Sequence, residues 1–270
     1  MQLAKSFDEL QQRVAEIRAL RRGFITNFFP DLTKHGLWIE KEDCFIERIG
    51  NSLFIIKKSP AFWNVFYCST TIDDLEDELK PFLTLNPDAT MMFDLLGREV
   101  QCHPLVEMFK KLGCTETTSL VRMTRMTGLM EYASDATVRY AINEDLPVIS
   151  EQLHLYFDER TEQIPYNEEL TDYANQKRVL VCEKDGVIAG FLIFELNATT
   201  LYLRYWFTHP DFRDEKVGSR LLRRSFYEGK DTKRQILWVI SSNENAIKRY
   251  KHYGFVEENM YDYVMQYKKN

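Results

Sequence analysis

Two stretches of sequence decide the fold: Trp206–Leu222, which reads WFTHPDFRDEKVGSRLL, and Asn243–Phe255, which reads NENAIKRYKHYGF. The first predicts a strand that ends at Pro210 and, after a short loop, a helix that opens at Gly218 and Ser219. Such a loop directs unpaired backbone N–H groups and the positive end of the helix dipole at one point, an arrangement that binds anions such as phosphate. Glycine at the helix start would let the ligand approach the backbone closely. Taken alone, the stretch fits a purely structural turn as well.

The two stretches together resemble the Gcn5-related N-acetyltransferase (GNAT) superfamily, whose signature is R/Q-x-x-G-x-G/A after the fourth strand. The first motif reads Arg213-Asp-Glu-Lys216-Val-Gly218 here, with lysine at the position of the family's first glycine. After the predicted strand at 235–242, the family shows N-x-x-A-x-x-x-Y-x-x-x-G-F. This chain matches that second motif at every position: Asn243, Ala246, Tyr250, Gly254 and Phe255. The resemblance covers about residues 136–270.

The first half of the chain repeats the order of the second. Both halves end in strand, helix, strand, helix, strand, and PLVEMFKKLG at 104–113 aligns by eye with the helix that carries Tyr250. This self-similarity favours duplication of one α/β unit, with an unrelated N-terminal α/β domain as the alternative. The resemblance implies an α/β (α+β) fold of two tandem GNAT-like domains, each a mixed, largely antiparallel twisted sheet flanked by helices. Residues 1–133 would form a degenerate domain and 134–270 the acetyltransferase domain.

Hydrophobic patterns give coarse predictions for individual elements. Ser6-x-x-Glu9 predicts a capping box that opens an N-terminal helix. The stretch at 37–70, which begins with LWIE, predicts consecutive strands. Asp185-Gly186 predicts the turn of a hairpin between RVLVCEK and VIAGFLIFEL.

The resemblance implies that the second half binds acetyl-CoA, or another acyl-CoA, as cosubstrate and uses no metal. The acyl-CoA would lie against the splayed end of the strand Leu201–Thr208, with its pyrophosphate on the amides of residues 216 to 219. Asn243 matches the position that binds the cofactor arm, and its alternative role is to cap the following helix. The implied cofactor-binding residues are Trp206, Phe207, Thr208, Arg213, Lys216, Val217, Gly218, Ser219 and Asn243. The first half lacks this motif and is expected to bind no CoA.

Tyr250 matches the family tyrosine that protonates the departing thiolate. A phenol is protonated at neutral pH and can serve as an acid toward a thiolate in a low-dielectric cleft. The alternative is a core aromatic residue at helical spacing from Ala246 and Ile247. For the general base, Glu195 at the end of the hairpin strand is the first candidate and His209 the second.

Acceptor contacts are expected from the loop after the first helix of the second half, where Tyr156 and Asp158 lie. Its acidic charge and aromatic wall suit a cationic amine, although loops of this composition are commonly only solvated. Arg204 is the one charge in LYLRYWF and is expected on the same strand face as Tyr202 and Trp206. It would contact a substrate anion or, alternatively, pair with Glu183 or Glu195 on the neighbouring strand.

Composition excludes several classes of protein. The 270 residues are 44% apolar and 28% charged with a net charge of −6, so a sequence-blind nucleic-acid binder is disfavoured. No apolar run approaches a membrane span, which needs about 18 residues. The five cysteines are widely spaced without C-x-x-C, which excludes a disulfide scaffold and the common zinc ribbons. A cytoplasmic monomer or homodimer is expected.

The sequence thus predicts an N-acetyltransferase that moves an acetyl group from acetyl-CoA to a small-molecule or peptide amine by direct attack in a ternary complex. One alternative is a regulatory protein that binds acyl-CoA without turnover, favoured by Lys216 and by the acidic pair Asp214 and Glu215 beside the anion site. Another is an aminoacyl or long-chain acyl transferase of cell-envelope metabolism, suggested only by the tandem layout. The acceptor depends on variable loops, which sequence patterns do not specify.

Overall fold

Two units, each a sheet with helices packed on it, make up the computed structural model, which describes residues 1–128 and 135–268. Met1–Leu120 and the chain from Asn259 onward form the first unit, and Val121–Glu258 forms the second. The predicted boundary between residues 133 and 134 lies outside the described residues, and the division into domains 1–133 and 134–270 stays a prediction. The predicted α/β fold with mixed, largely antiparallel sheets is confirmed.

The first part of the chain alternates strands and helices. Its strands are β1 (Gln2–Leu3), β2 (Ile25–Thr26), β3 (Cys44–Ile49), β4 (Ser52–Lys58), β5 (Trp63–Ser69), β6 (Met91–Gly97) and β7 (Thr115–Met126). Its helices are α1 (Phe7–Ala19), α2 (Leu32–Glu40), α3 (Ile72–Leu85) and α4 (Glu99–Lys111). The strand β7 runs from the first unit into the second.

Apart from β2, which has no counterpart in the described residues, the second part repeats this order: one strand, two helices, three strands, and then helix, strand, helix, strand. Its strands are β8 (Val138–Tyr140), β9 (Val179–Lys184), β10 (Val187–Asn197), β11 (Thr200–Thr208), β12 (Arg234–Ile240) and β13 (Val256–Tyr267). Its helices are α5 (Leu146–Tyr156), α6 (Asn167–Asn175), α7 (Val217–Glu228) and α8 (Glu244–His252), with 3₁₀ turns at Asn143–Asp145 and Pro210–Glu215.

Each unit contains one parallel pair of strands. The order is β1-β3-β4-β5-β6-β13 in the first unit and β12-β11-β10-β9-β8 in the second. Neighbours are antiparallel except β5 with β6 and β11 with β12. The C-terminal strand β13 completes the sheet of the first unit, from Tyr261 opposite Gly97 to Tyr267 opposite Met91. The sequence does not predict this pairing, because a strand pattern does not specify which sheet the strand joins.

The predicted N-terminal cap and hairpin turn are both present. Ser6 caps α1, since its hydroxyl accepts a hydrogen bond from the backbone N–H of Glu9 (3.1 Å). The carboxylate of Glu9 accepts its hydrogen bond from the backbone N–H of Lys5 (2.9 Å) and not from that of Ser6, so the predicted capping box is formed only in part. Asp185 and Gly186 form the turn between β9 and β10 and have positive φ values of 51° and 77°. A type I′ hairpin turn requires positive φ at both central residues.

The prediction of a strand at 37–40 is wrong, because these residues end the helix α2. Asp31 caps this helix by accepting a hydrogen bond from the backbone N–H of Lys34 (2.8 Å). His35 and Trp38 are both buried and lie three residues apart, which is a helical spacing. A pattern as short as LWIE does not distinguish a strand from the buried end of a helix.

Each unit buries its own apolar side chains. In the first, Phe54, Phe82 and Phe109 are fully buried between the sheet and the helices α3 and α4. In the second, α5 and α6 cover one face of the sheet, where Phe191 and Phe207 are buried.

All five cysteines are free and buried: Cys44, Cys68, Cys102, Cys114 and Cys182. Burial raises the pKa of the Cys44 and Cys114 thiols to about 12. Burial also raises the pKa of Cys68 and Cys102 to about 11. These thiols are therefore small apolar core groups in the folded protein.

A short segment before α2 fills the gap between the two parallel strands of the first unit. The strands β5 and β6 pair at only two positions, and beyond them β2 pairs with β5. The buried side chain of Asn27 then links both strands. It accepts a hydrogen bond from the backbone N–H of Tyr67 (2.7 Å) and donates one to the carbonyl of Asp94 (2.8 Å).

Candidate active site

The parallel strands of the second unit diverge at the predicted site. The pairing of β11 with β12 ends at Leu203, although β11 continues to Thr208. The other edge of β11 stays paired with β10 up to Thr208. In the described part of the chain, the edge of β11 that faces the gap therefore has unpaired backbone groups. The predicted cofactor contacts Trp206, Phe207 and Thr208 lie on this stretch.

The loop between β11 and α7 leads into a helix start without a side-chain cap. Its 3₁₀ turn ends at Glu215, and Lys216 follows in the left-handed region with a φ of 61°, which glycine adopts more readily. The helix begins at Val217, and among the described residues no side-chain hydrogen bond from the cap position closes its start. These groups and the helix dipole favour an anion at this end.

Gly218 lies against two side chains of β11. A Cβ atom at this position would be 3.0 Å from both Cζ2 of Trp206 and Oγ1 of Thr208, so a larger residue would displace them. The indole N–H of Trp206 is buried and has no hydrogen-bond acceptor among the described residues. Trp206 and Thr208 thus face the start of α7, whereas Phe207 faces the core under α5.

The charges around this loop are mixed. Arg213 and Lys216 are exposed at the loop. Glu215, whose charge opposes an anion, forms an ion pair with Lys184 of β9. Asp211 and Asp214, the other acids of the loop, are exposed to solvent. One member of the acidic pair is thus compensated by a lysine, and the other is solvated.

Ser219 and Asn243 each have a structural partner. The hydroxyl of Tyr253 donates a hydrogen bond to Oγ of Ser219 (2.7 Å), which ties the start of α7 to the end of α8. Asn243 caps α8, since its Oδ1 accepts a hydrogen bond from the backbone N–H of Ala246 (3.1 Å). This is the alternative role expected for Asn243, and its contact with a cofactor stays a prediction.

Tyr250 packs against Trp206 beside the gap. The centroid of its ring lies 5.5 Å from that of Trp206 and 5.9 Å from that of Phe255. Its hydroxyl has no hydrogen-bond partner within the described residues. Burial, and to a lesser extent the charge of Glu162, raises the pKa of this hydroxyl above its ordinary value, so it stays protonated at neutral pH.

The predicted base Glu195 is engaged by its neighbours. Nε of Arg204 lies 3.5 Å from its Oε1, and the hydroxyl of Tyr173 donates a hydrogen bond to the same oxygen (2.8 Å). The alternative expected for Arg204, an ion pair with a glutamate on the neighbouring strand, is thus present. A contact of Arg204 with a substrate anion stays a prediction.

A β-bulge changes the predicted orientation of Arg204. The register between β10 and β11 shifts at this residue, so the alternation of side chains is displaced by one. The guanidinium lies over the rings of Tyr202 and Tyr205, 5.2 and 5.6 Å from their centroids. Trp206 was expected on the same face but packs against Tyr250 instead. A pattern of period two cannot predict where an extra residue enters a strand.

The loop after α5 carries the predicted acceptor residues. The ring of Tyr156 is partly exposed and lies 4.8 Å from that of Phe207. Asp158 shapes the loop, because its carboxylate accepts a hydrogen bond from the backbone N–H of Arg160 (3.0 Å). Its carbonyl accepts another from the backbone N–H of Glu162 (2.8 Å).

Glu162, in the same loop, is a residue of the site that the sequence did not predict. It is half-buried, and burial raises its pKa to about 7, while the charge of Arg204 lowers that pKa and the charge of Asp158 raises it. No motif or spacing marks this glutamate among the polar residues of the loop. It faces the site because the loop returns to β11, where the hydroxyl of Tyr205 donates a hydrogen bond to the carbonyl of Gln163 (2.5 Å).

His209, the second candidate base, takes part in the 3₁₀ turn that follows β11. Its Nδ1 accepts a hydrogen bond from the backbone N–H of Asp211 (3.4 Å) and lies 3.6 Å from the carboxylate of the same residue. These contacts give His209 a capping role at the start of the loop, and its role as a base stays a prediction.

Comparisons with known proteins identify the class of the second half. Residues 145–255 match the acetyltransferase (GNAT) family, and the expected resemblance is confirmed. An uncharacterized N-acetyltransferase of Methanocaldococcus jannaschii is 32% identical to this chain over 87 residues. The match covers 29% of this chain and 38% of the length of that relative.

Solved structures extend the likeness of fold to the whole chain. A tandem GNAT protein from the clavulanic acid biosynthesis pathway is similar with a TM-score of 0.62 and 12% identity, over 99% of this chain and 97% of that one. A GCN5-related N-acetyltransferase from Sphaerobacter thermophilus has a TM-score of 0.61 and 12% identity, over 81% and 77% of the two chains. The tandem GNAT fold is therefore confirmed.

Two further observations concern the described residues only. No helix among them is long and apolar enough to cross a membrane. No group of three or more histidine, cysteine, aspartate or glutamate side chains is placed to hold a metal ion in this part of the chain.

Proposed function

We propose that the protein is an acyl-CoA-dependent N-acetyltransferase, whose second unit transfers an acetyl group from acetyl-CoA to the amine of a small molecule or peptide. The observation that carries the proposal is the gap where β11 leaves β12, next to the uncapped start of α7 and the hydroxyl of Tyr250. The family match at 145–255 includes all of these elements.

The residues around the gap fit an acyl-CoA. The free N–H groups at the start of α7, with Arg213 and Lys216 nearby, suit a pyrophosphate. Gly218 leaves that backbone accessible. The unpaired edge of β11 suits the amide groups of a pantetheine arm, and the buried indole N–H of Trp206 lacks the acceptor that buried donors normally have. When bound, acetyl-CoA supplies an activated acetyl thioester.

Tyr250 would act as the general acid. Its hydroxyl is protonated at neutral pH, has no competing hydrogen-bond partner in the described residues and lies beside the gap. It can therefore donate its proton to the sulfur that leaves the acetyl group. The hydrogen bond between Tyr253 and Ser219 would hold α8, and with it Tyr250, in position against the start of α7.

A regulatory protein that binds acyl-CoA without turnover is the second candidate. The feature that favours it is Lys216, a left-handed residue without the freedom of glycine at the centre of the loop. The acidic pair Asp214 and Glu215 was also expected to favour this candidate, but its charge opposes an anion less strongly, because Glu215 pairs with Lys184. The free hydroxyl of Tyr250 favours the enzyme, since a binding protein needs no acid there.

Calorimetric titration with acetyl-CoA, followed by an assay of thiol release, tests the proposal. We expect saturable binding and release of free CoA that depends on one class of amine among amines, amino acids, amino sugars and peptides. Binding without release for any class would favour the regulatory protein. Absence of acetyl-CoA binding would contradict both functions.

A further inference from the structure

Two carboxylates lie near the rings and charges of the candidate site, and they differ in how they are engaged. Glu195 accepts hydrogen bonds from the hydroxyl of Tyr173 (2.8 Å) and from Nδ2 of Asn197 (3.2 Å), and Arg204 lies 3.5 Å away. These contacts engage both carboxylate oxygens of Glu195.

The carboxylate of Glu162 has no such partners. Within the described residues it takes part in no hydrogen bond or ion pair, because only the backbone N–H of Glu162 is bonded, to Asp158. The charged and titratable groups that face it come from three elements. Asp158 lies on its own loop, Arg204 and Tyr205 on β11, and Tyr250 on α8.

The loop that carries Glu162 is anchored on both sides of this residue. On one side, the ring of Phe157 meets that of Tyr205 edge to face, with centroids 5.4 Å apart. On the other, the carbonyl of Gln163 accepts a hydrogen bond from the hydroxyl of Tyr205 (2.5 Å), and Ile164 packs on the apolar core. These contacts hold Glu162 toward β11, although it belongs to a polar loop.

We propose that Glu162 is the general base of the reaction, which takes a proton from the ammonium group of the acceptor while Tyr250 serves as the acid. The proposal rests on the acetyl transfer proposed above. It places the acceptor nitrogen between the loop after α5 and the end of α8, next to the gap. A primary ammonium group, cationic and small enough to reach a half-buried carboxylate, is the form in which this site takes its substrate.

The proton balance of the step is complete with these two residues. Glu162 accepts one proton from the ammonium, so that the nitrogen lone pair can form the bond to the acetyl carbon. The carbon–sulfur bond breaks, and Tyr250 gives its proton to the sulfur. Tyr250 then regains a proton from the new amide nitrogen, and Glu162 releases its own proton to solvent. The net products are the acetamide, CoA as a thiol and one proton.

The ionisation of Glu162 suits this role. Burial raises its pKa to about 7, so the carboxyl group can both accept a proton from an ammonium and release it near neutral pH. The charge of Arg204 acts in the opposite direction and keeps part of the population ionised. Because a base must be ionised to act, activity should rise with pH through this pKa.

The decisive experiment compares Glu162→Gln with Glu195→Gln and with the control Glu151→Gln, which removes the charge of an exposed glutamate on α5. For Glu162→Gln we expect kcat to fall by about 10²–10⁴-fold with acetyl-CoA affinity unchanged. The rise of kcat/KM near pH 7 should disappear from this variant and persist in the two others.

Other outcomes would overturn the assignment. If Glu162→Gln keeps kcat and the rise near pH 7, Glu162 is not the base. If only KM for the amine increases, the residue binds the ammonium without taking its proton. If Glu195→Gln shows the large loss of kcat instead, Glu195 is the base. Each of these results requires an active wild type, so they differ from failure of the proposed function, in which no amine is acetylated at all.

Two measurements separate a base from a merely structural residue. Arg204→Gln should move the rise in kcat/KM to higher pH, because the charge of Arg204 lowers the pKa of Glu162. In protein labelled with ¹³C at glutamate carboxyl groups, the signal missing from Glu162→Gln should titrate near pH 7 without any substrate. A titration near the ordinary glutamate value, about 4.3, would overturn the proposal whether or not an acceptor is known.

Discussion

Apart from β2, the two halves of the chain contain the same order of helices and strands, but the gap between their parallel strands differs. In the first unit, β2 pairs with β5 beyond the point where β5 leaves β6, and Asn27 bridges both strands. In the second, the described part of the chain places no strand beside β11 beyond Leu203 on that edge. The hydrogen bonds that an acyl-CoA arm would make in the second unit are made by the protein itself in the first.

The two units also differ in the start of one helix and in one aromatic side chain. The helix α3, which follows β5, begins with Thr71 as a side-chain cap, whereas α7 has none. Phe109 on α4 occupies the position that Tyr250 has on α8. The backbone carbonyl of Phe109 accepts a hydrogen bond from the N–H of Cys114 (3.0 Å), and that of Tyr250 accepts one from the N–H of Phe255 (3.1 Å). Cys114 and Phe255 each follow the glycine that ends the helix. Within the described residues, the uncapped helix start, the open strand edge and the tyrosine therefore occur together at these positions of the second unit and not of the first.

The sharpest test of the comparison is the hydroxyl that distinguishes Tyr250 from Phe109. Tyr250→Phe keeps the ring and its packing against Trp206 while it removes the proton donor. Since a general acid contributes about 10²–10⁴-fold, we expect kcat to fall into this range with acetyl-CoA affinity nearly unchanged. Steady-state kinetics and calorimetry measure the two effects. Full activity in a well-folded Tyr250→Phe protein would remove the residue from the mechanism.

Gly218→Asp should close the open helix start of the second unit. The new side chain would meet Trp206 and Thr208 and would bring negative charge to the site of the pyrophosphate. We expect no saturable acetyl-CoA binding by calorimetry and a cooperative thermal transition. Gly36→Asp on α2 is the control, because a Cβ at Gly36 has no neighbour within 4 Å. Unchanged affinity in Gly218→Asp would contradict the assignment of this loop.

The first unit should bind no CoA, so calorimetry is expected to give one acetyl-CoA per chain. Asn27→Ala would leave the buried N–H of Tyr67 and the carbonyl of Asp94 without their partner. We expect it to lower the free energy of unfolding by about 1–3 kcal/mol and to create no second site. Asn175→Ala, at an exposed position of α6, is the control for the urea titration. A second acetyl-CoA bound by the wild type would contradict the expectation that only the second unit binds CoA.

The smallest effect is expected for Lys216→Gly. The substitution removes a positive charge from the loop but relieves a left-handed backbone, and the two changes act in opposite directions. Acetyl-CoA affinity should stay within tenfold of the wild type, about 1.4 kcal/mol. A loss beyond a hundredfold would identify the lysine as a principal phosphate ligand.

The sequence predicts the second unit better than the first. The two motifs determine the strand, the loop, the helix and the position of Tyr250, because each requires a particular backbone or side chain. The role of Asn27 depends on the meeting of segments far apart in the chain, and Glu162 enters the site only through the contact of its loop with Tyr205. The sequence does not predict the bulge at Arg204 either, since one inserted residue leaves the hydrophobic pattern of β11 almost unchanged.

Because every cysteine is buried, the reactivity of the thiols shows whether the protein is unfolded. Thiol reagents react with the thiolate, and the raised pKa and burial of these side chains keep them unreactive in the folded state. An assay that detects the thiol of released CoA therefore has little background from intact enzyme. When the chain unfolds, five new thiols become available to the reagent. The reagent that detects turnover would then also detect unfolded molecules. An inactive variant that is folded gives no colour, whereas an unfolded variant reacts before any substrate is added, so one assay distinguishes the two.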